Sequence, residues 1–239
     1  MLEAIARGKL TDEKIPEDAI TSSVFSPLRA LPPETIWRVV GDAMISREAY
    51  PNVLGRFTGE PPIHVGIELW PWLRGEKSVE PDVLITVEFP DGKRLAVLVE
   101  VKWNAPLGFD QISHQRDALA ADHSRQAYSH RLNLLLVRSR AQADAGRDPC
   151  INEIENQVVI CTWAEFAHRL AMLELIDQEP MLKGWKDMLI RALRRTEGTP
   201  FSHFSIEAVL DPNDRSCLDW QPAGMVFPPP IEAITRIQS

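Results

Sequence analysis

Cysteine is scarce in this chain, and the three present do not form a pattern. Cys150, Cys161 and Cys217 are odd in number and far apart. That excludes a disulfide framework and any Cys-based zinc or iron–sulfur spacing, and it fits a reducing cytosol. None of the six histidines pairs in a ligand spacing such as His-Glu-x-x-His, which removes a zinc site. No apolar run is long enough to cross a bilayer and no signal peptide opens the sequence, so a cytoplasmic protein with no membrane partner is expected. Positive charge is also in short supply: 26 Lys and Arg against 34 Asp and Glu give a net charge of −8. Bulk electrostatics would therefore repel nucleic acid, which would need a local basic surface, a metal-neutralised cleft or a partner. There is no internal repeat.

What the chain does have is concentrated between Glu80 and Trp103. Two runs rich in Val, Leu and Ile, EPDVLITVEF and RLAVLVEVKW, flank Pro90-Asp91-Gly92. This reads as an antiparallel hairpin. Pro-Asp-Gly suits a three-residue loop, with Pro and Asp in a type I turn and Gly in the left-handed bulge position. Phe89 then faces Lys93, and counting back pair by pair sets Asp82 opposite Glu100. Opposed residues share a sheet face with side chains roughly 5 Å apart, and Lys102, two residues on, lies on the same face. A two-residue Asp-Gly loop would instead put Asp82 opposite Val101 and scatter the charges over both faces.

Two carboxylates held that close repel one another. A divalent cation removes the conflict: carboxylate oxygens are hard ligands suited to Mg²⁺ or Mn²⁺, and Mg²⁺ commonly keeps only one or two of them, leaving positions for water and a phosphate oxygen. Such an ion lowers the pKa of its water and neutralises charge building on a phosphate, while a nearby lysine orients that water or steadies the transition state. Metal, water, lysine and phosphate together make a phosphodiester hydrolysis site. A plainer account exists for each half: Asp after Pro often starts a strand, and Glu-Val-Lys is an ordinary edge-strand triplet.

Pro81-Asp82, the hairpin, and Glu100-Val101-Lys102 together resemble the PD-(D/E)xK nuclease superfamily, which includes restriction enzymes and repair or defence nucleases. The resemblance covers roughly residues 15 to 176. It implies a restriction-endonuclease-like α/β core, a mixed central β-sheet flanked by helices. It also implies Asp82 and Glu100 as metal ligands, the Val101 carbonyl as a further ligand and Lys102 as the catalytic lysine. In many such proteins a first helix adds an acid, for which Glu17 is the choice and Asp18 and Glu34 are rivals; an Asp or Glu at a helix start is also favoured by the helix dipole. A glutamine early on the helix after the lysine strand often touches phosphate or water. Gln111 fits best, Gln115 lies one turn along, and an exposed helix glutamine is the alternative. The resemblance implies DNA as substrate, a bacterial or phage defence role, and a homodimer or protein partner as possibilities. An inactive nuclease-fold binding module is the rival.

The rest of the chain supplies the layers. Helices are expected over MLEAIARGKL, after Pro16, and over ETIWRVVGDAMI, where Ile36, Val39, Val40 and Ala43 share a face. Tyr50 to Pro62 reads as a loop and IHVGIELW as a strand, with His64, Gly66 and Glu68 on its second face. Trp70 and Trp72 at the strand exit read as packing residues, with base stacking the alternative. A polar helix is expected from about Asp110 to Ser129, offering Gln111, His114, Gln115 and Arg125. LNLLLV and QVVICT read as buried strands, separated by a loop carrying Arg138, Arg140 and Arg147. Thr162-Trp163-Ala164-Glu165 is a capping box that opens the next helix, and another amphipathic helix spans about 182 to 195. The domain is thus expected over 1–198. A C-terminal helical and irregular extension is expected, whose residues 199–239 are Pro-rich, lack clear periodicity and are expected to pack on the domain or on a partner.

Overall fold

Pro16 opens the first helix, α1 (Glu17–Leu28), with an extended conformation at the N-cap and two acids, Glu17 and Asp18, in the first turn. Those acids complement the positive end of the helix dipole. The computed structural model describes residues 16–57, 59–75, 77–108, 110–125, 127–145, 158–174 and 180–196. The chain divides into two units, Met1–Thr199 and Pro200–Ser239. The expected helix over 1–10, the C-terminal extension 199–239, Arg147, Cys150 and Cys217 lie outside the described residues.

After α1 the chain forms α2 (Pro33–Arg38), which runs on as a π-helix over Val39–Ile45. Ile36, Val39, Val40 and Ala43 are all buried there, as their spacing predicts. Tyr50 to Pro62 is not wholly a loop. A short helix α3 (Pro51–Leu54) and a 3₁₀ turn (Gly55–Phe57) bury Leu54 and Phe57 against the core.

The sheet has five strands: β1 (His64–Leu69), β2 (Val83–Glu88), β3 (Arg94–Val101), β4 (His130–Val137) and β5 (Val158–Thr162). Their spatial order is β1-β2-β3-β4-β5. The first three form an antiparallel meander, whereas β3–β4 and β4–β5 pair in parallel. Parallel neighbours need a crossover, supplied by α4 (Gln111–Ala121) and, before β5, by α5 (Arg140–Ala145). The polar helix ends earlier than its pattern suggests: after Ala121 only a 3₁₀ turn, His123–Arg125, continues it. Trp163–Met172 forms α6, opened by the reciprocal Thr162–Glu165 capping box, and Pro180–Thr196 forms α7.

Apolar residues sort cleanly between the two faces of this mixed, helix-flanked sheet. On one, Val83, Ile85, Val97, Val99, Val101, Leu134 and Cys161 join the side chains of α1, α2, α6 and α7 in the main core. On the other, two smaller clusters lie beneath α4 and α5. Leu84, Ala96 and Leu98 meet Ala118 and Leu119, while Leu135, Val137 and Ile160 meet Ile112 and Ala143. Strand β3 is buried at every position after Arg94. An acid and a lysine at its end are therefore in a place where charge is costly.

Candidate functional site

The hairpin turn sets the site. Phe89 N–H donates to the Lys93 carbonyl at 2.9 Å and Gly92 N–H to the Phe89 carbonyl at 3.0 Å. Gly92 sits at φ 81°, the left-handed bulge position of a three-residue loop. Glu88 pairs with Arg94 and Val83 with Val99, so the same count carried one step further brings Asp82 opposite Glu100. Asp82 Oδ2 accepts the Val101 N–H at 2.7 Å, extending the ladder by a side chain. The N–H and C=O of one strand residue point the same way, so the Val101 carbonyl lies on the Asp82 side of β3.

Glu100 is 2% exposed and Lys102 9% exposed. The Lys102 ammonium lies 2.7 Å from Glu100 Oε1 and 3.7 Å from Glu17 Oε2. The backbone of Lys102 is fixed from two further elements: its N–H donates to Leu136 in β4 at 2.8 Å, and its carbonyl accepts the Trp163 indole N–H at 3.2 Å. Glu17 reaches the site from the first turn of α1. Its Oε1 accepts the N–H groups of Trp103, Asn104 and Ala105 at 2.8, 3.3 and 3.0 Å. Three consecutive amides aimed at one oxygen form an anion-binding concavity, here filled by the protein's own carboxylate. Asp18 and Glu34 are exposed. From α4, Gln111 Nε2 donates to Glu100 Oε1 and Gln115 Nε2 to Glu100 Oε2, each at 2.5 Å.

The electrostatics follow from burial. The Asp82 carboxyl is pushed up to about 7, first by burial and then by the Glu100 charge opposite; the Val101 N–H and Lys102 pull the other way. For Lys102, burial opposes the charge, but Glu100, then Glu17 and Asp82, outweigh it and hold the ammonium above the usual lysine range. Two acids that cannot comfortably both ionise are the donor chemistry a hard dication relieves. Among the described residues no group of three or more His, Cys, Asp or Glu is placed to hold a metal ion. The available donors are the two carboxylates and the Val101 carbonyl, a set that suits Mg²⁺ with water in its other positions.

The structure brings Glu17, Asp82, Glu100, Lys102 and Gln111 to one end of the sheet, as the sequence reading assembles them. Other candidates are engaged elsewhere. Arg125 of the expected polar helix lies 2.7 Å from Glu68 on β1, so the two are engaged with one another. Arg138 donates to Asn104 Oδ1 at 2.9 Å and stacks over Trp103 at 5.5 Å, and Arg140 pairs with Glu165 at 3.2 Å. The sequence pattern puts both in a loop; Arg140 instead begins α5. Trp72 is 58% exposed, against its reading as a packing residue, whereas Trp70 is half-buried at φ 50° and donates its backbone N–H to the Asp82 carbonyl at 2.9 Å.

No family model, curated protein or solved structure matches the chain. The functional reading therefore rests on the site itself.

Proposed function

We propose that this chain is a divalent-metal-dependent nuclease of the PD-(D/E)xK type that hydrolyses phosphodiester bonds in DNA, with a role in bacterial or phage defence. One observation carries the reading: a buried acid in a central strand, Glu100, faces a second acid, Asp82, across a hairpin, with a lysine on the same face. Folding alone gains nothing from that arrangement. The mixed sheet flanked by helices supports the same reading at the level of architecture.

Asp82, Glu100 and the Val101 carbonyl would hold Mg²⁺ or Mn²⁺, which when bound supplies an acidified water and neutralises a phosphate oxygen. Lys102 steadies the charge that grows on phosphorus-bound oxygen as the attacking water adds. Glu17 keeps the lysine in place from the opposite side and ties down the 103–105 backbone. Gln111 is half-buried, and its amide can turn from Glu100 toward a phosphate or water.

A second reading has its own support. Both Glu100 oxygens and both Glu17 oxygens already face protein donors, an arrangement a catalytically inactive binding or assembly module could keep indefinitely. Incubation of plasmid, linear and single-stranded DNA and of RNA with Mg²⁺ or Mn²⁺, run beside Lys102→Ala, separates the two. Metal-dependent cleavage that the variant loses supports the nuclease. Parent and variant equally inert with every metal and substrate leave the binding module.

A further inference from the structure

Helix α4 presents two amides, one turn apart, to the two oxygens of a single carboxylate. They are not equivalent. Gln111 is half-buried and its own Oε1 accepts the Gly108 N–H at 3.1 Å, so its amide also closes the loop before the helix. Gln115 is 2% exposed, donates to Glu100 Oε2, and leaves its Oε1 buried with no partner. Nearby on the same sheet face, Asn133 in β4 is 3% exposed with an unpartnered Nδ2. It pairs with Leu98, two residues before Glu100.

An amide buried with half its capacity unmet is a poor choice for packing. The neighbouring positions on the same helix show what packing prefers: Ile112, Ala118 and Leu119 each fill an apolar cluster. An apolar side chain would serve the fold at 115 as well or better. The carboxylate is what needs the donor.

We propose that Gln115 is the positioning residue of Glu100. It grips Oε2 and fixes the carboxylate plane, while Oε1 is shared by the two less buried groups, Gln111 and Lys102. Those two can exchange partners when cation and phosphate arrive without letting the ligand swing. This inference rests on the metal-dependent reading above. Outer-shell partners of this kind set metal affinity by about 10–100-fold when removed.

The test is Mn²⁺ titration of the full chain by calorimetry, comparing the parent with Gln115→Met, Gln115→Leu and Gln111→Met, each with its melting temperature recorded without metal. The expected result is that the two apolar variants at 115 melt at or above the parent yet bind Mn²⁺ about 10–100-fold more weakly. Gln111→Met should lose less affinity than either. Parent-like Mn²⁺ binding by the 115 variants overturns the role of Gln115 alone, and so does failure of both to fold, which would make the amide structural. A parent that takes up no Mn²⁺ overturns the metal reading and this inference with it.

Discussion

The two ends of one hairpin obey the same pairing rule and put it to opposite use. Beside the turn, Glu88 faces Arg94 with Oε1 3.2 Å from Nε, both side chains in contact with water, and Asp91 sits 2.7 Å from Lys93. At the far end the opposed residues are both acids, and the side chains of Glu100 and Lys102 are 3% and 11% exposed. Opposite charges across an exposed pair are worth at most about 1 kcal/mol and ask nothing of the rest of the protein. A buried ion carries a desolvation cost of several kcal/mol, and the fold surrounds Glu100 and the half-buried Asp82 with a lysine, two amides and a backbone N–H to keep them. The amount of charge is similar at the two ends; the difference lies in how much scaffolding it has drawn in.

That contrast can be pressed by mutation, and the far end should respond most. Lys102→Ala is expected to lower metal-dependent DNA cleavage by about 10²–10³-fold, read from initial rates on a linear substrate. It also leaves Glu100 buried without its cation, so urea denaturation should record a loss of about 3–5 kcal/mol. Asp82 gives a pH signature. Its carboxyl ordinarily titrates at 3.8 and is pushed up to about 7 in the fold. Between those values the native chain keeps a proton that the unfolded chain has released. Metal-free stability is therefore fully present below 3.8, falls as pH rises toward 7 and levels above it. The decline should total roughly 2–4 kcal/mol, vanish in Asp82→Asn, and be offset by saturating Mg²⁺ in the parent only.

Smaller effects belong to the turn. Gly92→Ala forces a side chain into φ 81° and should cost about 1 kcal/mol in the same denaturation assay. A loss well above that would mean the strand register itself had slipped. Glu88→Ala, at the solvated pair, should change stability by no more than about 0.5 kcal/mol and leave cleavage intact. An effect there as large as that of Asp82→Asn would erase the distinction between the two ends.

Much of this was legible in the residues because it is local. Pro90-Asp91-Gly92 suits a three-residue loop, and of the two loop lengths the turn offers only that one places Asp82 opposite Glu100. Thr162 to Glu165 spells its capping box within four residues. Contacts made across long sequence gaps left no such trace. Nothing near Arg138 announces that it will lie over Trp103, and nothing near Arg125 points to Glu68, 57 residues away. The π-helical run Val39–Ile45 looks like any apolar helix, and the short α3 hides among prolines and glycine. Gln115 was visible as an i+4 companion of Gln111, but its hold on Glu100 depends on how α4 lies across the sheet.

The stitching of Lys102 has a temporal side. Its amide is held by Leu136, its carbonyl by Trp163, and its ammonium faces Glu17. A chain still emerging from the ribosome has the acids and the amine of the hairpin as soon as residue 102 is made, yet the last of these fastenings is some sixty residues later. The protein is thus built so that this corner of the fold takes its final form only once all five strands of the sheet have been synthesised.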